Sequence, residues 1–294
     1  MKVLLLGSTG MLGQTLLKTL QGNKYSVVTV SRNNSDYNID LLVDSDKFIA
    51  IMIKEKPEII INSAAIIDLE YCETCPGEAY IINSRLPALI AQACKITKSY
   101  FVQISTDHYY FNDSNIAHAE DHELYLLNEY ARTKYAGEIF ALTHKNTLVA
   151  RTNIVGFRNK KGIPTFVEWI IKSLKSNEII TGYEDYYTSS IDVKTFSTIL
   201  LELIQMGITG IINIASSDII SKYEFIRSLA VLLGKEEYIK KGSIKMMHGT
   251  IRANSLGLDT SKLKCLLKHN KMPSSKEVII NIFNQYKEGS YCEL

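Results

Sequence analysis

Six short apolar runs, separated by helix-length amphipathic stretches, constrain the fold of this 294-residue chain most strongly. They are rich in Val, Ile and Leu and mostly continuous, which is typical of parallel strands buried on both faces. The runs are Lys2–Leu6, Ser26–Val30, Ile59–Asn62, Tyr100–Ser105, Thr147–Arg151 and Ile211–Ala215. Because strands and helices alternate, we predict an α/β protein with a Rossmann-type, doubly wound parallel sheet.

After about residue 155 the pattern changes to mostly helical stretches. The predicted helices there are Thr165–Leu174, Asp192–Gln205, Lys222–Leu233 and Ser274–Gln285. We therefore predict a dinucleotide-binding domain over residues 1–155, with its sheet completed by part of 185–215. A smaller, mostly helical substrate-binding lobe over 156–294 is interleaved with it.

Composition argues against several classes of protein. The formal net charge is +2, which gives no electrostatic reason to bind nucleic acid. The first apolar run stops at Gly7, short of the about 7–15 residues of a signal-peptide core, and no run reaches the ~18–20 residues that span a bilayer. Five cysteines without framework spacing suit reduced thiols. We expect a cytoplasmic protein with no membrane or nucleic-acid partner.

A glycine-rich turn follows the first strand and precedes the first helix. Glycine permits a tight turn and close approach of backbone to phosphate, and a helix N-terminus offers N–H groups and partial positive charge. The spacing is G-x-x-G-x-x-G, and the positions expected to contact a dinucleotide are Gly7, Thr9, Gly10, Met11, Leu12 and Gly13.

The end of the second strand bears on the choice of cofactor. An NAD site often carries an acidic residue about 20 residues beyond the glycines, whereas this strand ends in Ser31 and Arg32, which can accept a 2′-phosphate. We therefore predict NADPH, with NADH as the alternative. Further contacts are expected at Asp40 and Leu41, near the adenine, and at the small residues Ala64 and Ala65.

Tyr130 and Lys134 lie four residues apart, so they share one face of a predicted helix over 128–142. A nearby ammonium lowers the pKa of a phenol, and lysine can also hold ribose hydroxyls. Tyr130 is thus the expected proton donor while hydride comes from the nicotinamide. A hydroxyl that binds the substrate carbonyl could come from Ser105 or Thr106, which spacing alone does not separate.

Taken together, these motifs resemble an extended short-chain dehydrogenase/reductase and, more closely, the dTDP-4-dehydrorhamnose reductase family. The resemblance covers nearly the whole chain. Its best stretches are Gly7–Gly13, Asn62–Ala65, Ser105–Asp107, Asn128–Glu138 and Leu258–Leu263. It implies reduction of the 4-keto group of a nucleotide-linked 6-deoxy sugar with NAD(P)H.

The resemblance also implies roles for individual residues. Thr106, Tyr130 and Lys134 match the catalytic hydroxyl, acid and lysine, and Asn83 matches a position near the nicotinamide. The expected substrate-binding positions are Ser105, Asp107, His108, Asn153 and Arg252. The family can bind a divalent cation at a dimer interface, but this sequence has no matching carboxylate cluster, so we expect no metal; a homodimer is compatible with the resemblance.

The chain departs from the family pattern at its substrate side. Ser-Thr-Asp is followed by His108-Tyr109-Tyr110 rather than Tyr-Val-Phe, and Ile154 stands where the family has a tryptophan. Tyr187–Ser190 replaces a Gly-x-Pro-Thr stretch, and Ala253 replaces a proline. The sugar therefore need not be the rhamnose precursor.

Two other functions use the same fold. A nucleotide-sugar epimerase or dehydratase would retain its NAD(P) and use the same tyrosine and lysine. A cofactor-binding regulatory subunit, like that of eukaryotic methionine adenosyltransferase, would bind a partner enzyme instead of a substrate.

Overall fold

The computed structural model describes residues 1–247, 249–267 and 271–289. One of the five cysteines, Cys292, lies outside these residues. The strands are β1 (Lys2–Leu6), β2 (Ser26–Ser31), β3 (Tyr37–Asn38), β4 (Ile59–Asn62), β5 (Tyr100–Ile104), β6 (Thr147–Thr152), β7 (Ile154–Val155), β8 (Ile180–Tyr183), β9 (Tyr187–Thr188), β10 (Ile191–Asp192), β11 (Gly210–Ile214), β12 (Ile220–Ser221), β13 (Ile239–Gly242) and β14 (Ser255–Leu256).

The α-helices are α1 (Met11–Gly22), α2 (Ser45–Glu55), α3 (Leu69–Thr74), α4 (Pro76–Tyr80), α5 (Leu86–Thr97), α6 (Glu129–Ala141), α7 (Phe166–Lys175), α8 (Val193–Gln205), α9 (Lys222–Leu232), α10 (Ser261–Leu266) and α11 (Ser275–Lys287). Three of them, α7, α9 and α11, begin with a capping box in which a Ser or Thr and a Glu three residues later satisfy each other's backbone N–H. None of the helices among the described residues has the length and apolar character needed to cross a membrane.

A seven-stranded sheet has the order β11-β6-β5-β4-β1-β2-β3, and the pairings from β6 through β3 are parallel. The order reverses between β1 and β4, which is the switch point at which doubly wound sheets bind ligands. The six predicted strands begin and end within one residue of the observed ones. The predicted Rossmann-type fold class is confirmed; the short strand β3 was not predicted.

The chain divides into two compact units. The first comprises 1–106, 126–151 and 197–212, and the second comprises 107–125, 152–196 and 213–294. The core of the first unit joins the sheet to α2 and α5, with Leu4, Phe48, Ile90 and Phe101 fully buried. The core of the second unit is formed by α7, α9 and α11, around residues such as Ile170, Leu229 and Ile282. Among the described residues, the second unit also holds two pairs and one triplet of strands, each two to four residues long, that the sequence did not reveal.

Candidate functional site

The glycine turn lies at the carboxyl end of β1 and leads directly into α1. Gly7 has a φ of +76°, and its N–H donates to the carbonyl of Val30 at 2.9 Å. A Cβ on Gly13 would lie 2.0 Å from the Gly7 carbonyl oxygen, so the third glycine is required for the helix to start this close to the turn. Gly10 caps α1 without a side-chain hydrogen bond, and the first turn has no acidic residue. The N-terminus of α1 is therefore suited to a phosphate.

The end of β4 lies beside this turn. Leu6 pairs with Asn62 across the parallel strands, and a Cβ on Gly7 would lie 2.9 Å from the backbone nitrogen of Ala64. The backbone N–H of Ala64 donates to Asn62 Oδ1. The Ala64 side chain is only a methyl group, so it occupies little space at this edge of the sheet. The predicted positions from Gly7 to Gly13 and from Ala64 to Ala65 thus come together at the switch point.

The residues after β2 are arranged around a short turn. The buried Ser31 hydroxyl donates to the carbonyl of Asn33 at 2.7 Å, whereas Arg32 is exposed at the end of the strand. Asp40 is also exposed and accepts the N–H of Leu42, while Leu41 is buried. A second acidic residue of this region, Asp36, accepts two hydrogen bonds from Thr29, which lower the pKa of its carboxyl.

Helix α6 carries Tyr130 and Lys134, both of which are buried. It begins at the cap residue Asn128, whose side chain accepts the N–H of Ala131 at 2.8 Å. Lys134 Nζ donates to the carbonyl oxygen of Ile104 at 2.8 Å, at the carboxyl end of β5. Burial lowers the pKa of Lys134 to about 8, and the charge of Glu138 opposes this shift. The ammonium therefore predominates at neutral pH.

The Ser105 side chain, one of the two hydroxyl candidates at the end of β5, faces a buried ion pair. The Ser105 hydroxyl donates to the Glu138 carboxylate, which also pairs with Arg151 at 2.8 Å. The Glu138 and Arg151 side chains are 0% and 2% exposed, so this is an internal ion pair that holds α6 against β6. Ser105 thus contributes to this internal network, and Thr106 remains the predicted hydroxyl for the substrate carbonyl.

Asn83 is buried on a single π-helical turn, Ile81–Arg85, between α4 and α5. Its amide donates to the carbonyl of Ile66 at 2.9 Å and to Thr133 Oγ1 at 3.1 Å, and it accepts the N–H of Ile66 at 3.0 Å. Pro87 has no N–H to give to the Asn83 carbonyl four residues earlier, which accounts for the break in the helix. These bonds hold the loop after Ala65 to α6, so Asn83 positions that loop.

In the second unit, a small sheet of order β12-β9-β14 gathers side chains at one end. Tyr187 pairs with both Ser221 and Ser255, so the residues just before β9, just after β12 and just before β14 are neighbours. These residues include Tyr186, Lys222 and Arg252. Lys222 Nζ lies 4.5 Å from the ring centre of Phe166 and 5.8 Å from that of Tyr186.

The residues that follow Thr106 in the chain lie in this same unit. Asn153 Nδ2 donates to Asp107 Oδ2 at 2.7 Å, and the Ser190 hydroxyl donates to Asn153 Oδ1 at 2.8 Å. His108 Nε2 lies 3.5 Å from the Tyr186 hydroxyl. Burial, together with the positive charges of Arg252 and Lys222, lowers the pKa of His108 to about 3, so its imidazole is neutral at physiological pH.

The predicted substrate positions Asp107, His108, Asn153 and Arg252 thus fall into one cluster of the second unit, whereas Ser105 belongs to the first unit. Sequence reasoning missed Tyr186, Lys222 and Ser190. The one signal in the sequence was the departure from the family pattern at 187–190, because that stretch contains Ser190 and directly follows Tyr186.

Comparisons with known proteins agree on the type of protein. A family model described as the RmlD substrate binding domain matches residues 1–264. The chain is 26% identical over 239 residues to the spore coat polysaccharide biosynthesis protein SpsK of Bacillus subtilis, covering 81% of each chain. It is 25% identical to a dTDP-4-keto-6-deoxy-D-glucose reductase of Streptomyces niveus, covering 79% of each.

Solved structures share the fold. A dTDP-4-dehydrorhamnose reductase from Bacillus anthracis in complex with NADP superposes with a TM-score of 0.86 at 23% identity, covering 97% of this chain and 99% of that one.

Proposed function

Since the chain belongs to the RmlD substrate binding domain family, we propose that it is an NADPH-dependent reductase of a nucleotide-linked 4-keto-6-deoxy sugar. The observation that carries the proposal is the placement of Lys134. It lies on the same helix as Tyr130, and its Nζ donates to the carbonyl of Ile104 at the end of β5. The relatives named as reductases of dTDP-linked sugars support the substrate class.

The residues of the first unit fit a nicotinamide dinucleotide. The N–H groups at the start of α1 and the glycines around it suit the pyrophosphate, and Arg32 suits the 2′-phosphate of NADPH. Bound there, the cofactor would supply the hydride for the keto carbon.

Proton transfer is assigned to α6 and the end of β5. Tyr130 donates the proton to the carbonyl oxygen of the substrate, and Thr106 holds that oxygen by a hydrogen bond. The Lys134 ammonium favours the phenolate that forms, because an adjacent positive charge stabilises an oxyanion in a buried setting.

The cluster in the second unit is assigned to the nucleotide sugar. Lys222 and Arg252 supply positive charge for the diphosphate. Asp107, Asn153 and Ser190 form a polar network suited to sugar hydroxyls. The departures from the family pattern lie in this cluster or beside it in the sequence, so sugars other than the rhamnose precursor belong in the assay.

The test is NADPH consumption with a panel of nucleotide-linked 4-keto-6-deoxy sugars. We expect turnover by the wild type, a fall of about 10²–10⁴-fold in Tyr130→Phe, and little change in the matched control Tyr135→Phe on the same helix. Silence across the panel by a protein that binds NADPH would contradict the proposal. Interconversion of nucleotide sugars by protein purified with its cofactor would instead identify an epimerase or dehydratase, and a co-purifying partner enzyme would identify a regulatory subunit.

A further inference from the structure

Three potential metal ligands meet in the second unit, at residues to which the proposed reductase reaction assigns no role. The ligand atoms of Asp113, His118 and His122 all lie within 4.8 Å of one another. His118 is fully buried, Asp113 is partly buried and His122 is exposed. The group therefore has a fixed inner ligand and an outer ligand open to solvent.

Hydrogen bonding fixes which nitrogen of His118 faces the group. The Ser255 hydroxyl donates its proton to the Ser114 carbonyl at 2.8 Å, so at 3.1 Å it accepts from His118 Nε2. In the neutral ring, which is the form that binds a metal, Nε2 thus carries the proton and Nδ1 presents a lone pair.

The lone pair of His118 is aimed at another acceptor. Nδ1 is buried without a hydrogen-bond partner and lies 3.9 Å from the Asp113 carboxylate. Two acceptors that face each other are unfavourable unless a positive centre lies between them. A metal ion supplies such a centre, and the Nε2–H bond to Ser255 is the outer contact that a metal-binding histidine commonly makes.

The surroundings hold His118 rigidly in place. Its ring stacks on Tyr110 with a centroid distance of 3.9 Å and an interplanar angle of 2°. The backbone N–H of His118 donates to the Gly257 carbonyl at 2.8 Å, and the backbone carbonyl of His118 accepts the N–H of Asp259. The His122 ring centre lies 4.5 Å from that of His118.

We propose that Asp113, His118 and His122 bind one divalent transition-metal ion of the Zn²⁺ class. Two imidazoles with one carboxylate favour Zn²⁺ over Mg²⁺ or Ca²⁺, which prefer oxygen ligands throughout. Tetrahedral Zn²⁺ needs ligand atoms about 3.3 Å apart, which rotation of the exposed His122 side chain and a small shift of Asp113 provide. A water molecule fills the fourth position.

Such an ion would close the loop from 113 to 122. The flanking backbone already folds back on itself, because the N–H of Tyr125 donates to the carbonyl of Tyr109 at 2.6 Å. Asp107 and His108 directly precede the segment that closes in this way, so the metal would stabilise the loop next to these two residues of the substrate cluster.

The test is calorimetric titration of the full-length, tag-free protein with ZnCl₂ after dialysis against EDTA. The variants are His122→Ala and Asp113→Asn, which change side chains outside the buried core, with His144→Ala as a control for loss of a histidine elsewhere. We expect one site in the wild type and in the control, weakened at least about tenfold in each variant, and a Zn²⁺-dependent rise in Tm that the variants lose.

Equal Zn²⁺ affinity in the wild type and both variants would overturn the proposal, as would the absence of Zn²⁺ binding or equally tight binding of Mg²⁺ at the same site. Circular dichroism of the metal-free variants establishes that they are folded. The readout needs no turnover, so its outcome is separate from that of the reductase assay.

Discussion

Two buried or partly buried lysines, one in each unit, show how differently the two parts of the molecule hold a positive charge. Burial lowers the pKa of both Lys134 and Lys222 to about 8, and each has one carboxylate, Glu138 or Asp107, that opposes the shift. Lys134 donates to a backbone carbonyl at the end of a central strand. Lys222 instead lies over aromatic rings, with Phe166 at 4.5 Å.

The two environments restrict the lysine side chains to different degrees. A backbone carbonyl on a buried strand fixes the position of Lys134 to a narrow geometry, as proton transfer requires. Ring faces attract a cation without a strongly directional bond, so Lys222 can adjust to an anionic ligand. We infer that substitutions at Lys134 affect the chemical step, whereas those at Lys222 affect substrate affinity.

The largest effect is expected for Lys134→Met. We expect kcat to fall about 10²–10⁴-fold, because the charge next to the proton donor is lost. In the wild type, kcat should decline as the pH rises through about 8, where Lys134 loses its proton. The measurement is kcat against pH, with the exposed Lys18→Met as control. A Lys134→Met variant with wild-type kcat would remove Lys134 from the mechanism.

The same substitution should increase stability. The folded-state pKa of Lys134, about 8, lies below the ordinary 10.5, so folding disfavours its ammonium. This cost is fully present below pH 8 and disappears as the pH rises towards 10.5, because there the unfolded chain binds the extra proton. Urea unfolding at pH 7 should therefore show Lys134→Met more stable by about 1–3 kcal/mol, a gain that shrinks at high pH. A loss of stability at pH 7 would show that the bond to Ile104 outweighs desolvation.

Sequence predicted the first unit far better than the second. Continuous runs of buried Val, Ile and Leu fix the long strands, and the glycines of the turn have steric reasons that hold in any Rossmann-type protein. The second unit places Tyr186, Lys222 and Arg252 together through strands of two residues. Such strands are too short for a periodic pattern, and their pairing depends on contacts between distant parts of the chain.

Residue spacing did not predict two features of the candidate sites, the different surroundings of Ser105 and Thr106 and the group of three potential metal ligands. Ser105 and Thr106 are consecutive, and the hydrogen bond from Ser105 to the buried Glu138–Arg151 pair is what distinguishes their surroundings. The Asp113, His118 and His122 group was likewise not predicted, since the His-x-x-x-His spacing indicates a shared face only within a helix.

A smaller effect is expected for Lys222→Met. Loss of a charge-assisted contact to a diphosphate should raise the KM for the nucleotide sugar about 10–100-fold and leave kcat within about threefold. The matched control is Lys241→Met, because Lys241 also lies over an aromatic ring, that of Tyr223 at 5.0 Å, but is exposed. A fall in kcat as large as that of Lys134→Met would contradict the division of labour between the two lysines.

The smallest effect concerns an exposed positive charge, Arg32, which extends the comparison to a side chain that solvent screens. Arg32→Ala should raise the KM for NADPH about tenfold and leave that for NADH unchanged, because only NADPH carries the 2′-phosphate. The NADPH effect should shrink as salt is added, since exposed charges interact weakly beyond a Debye length of about 8–10 Å. The effect of Lys222→Met should be less sensitive to salt, because burial limits screening of its charge.

Steady-state kinetics with both cofactors at low and high ionic strength measure the two responses. Equal changes for NADPH and NADH would assign Arg32 a general role in the turn after β2 rather than a contact with the 2′-phosphate.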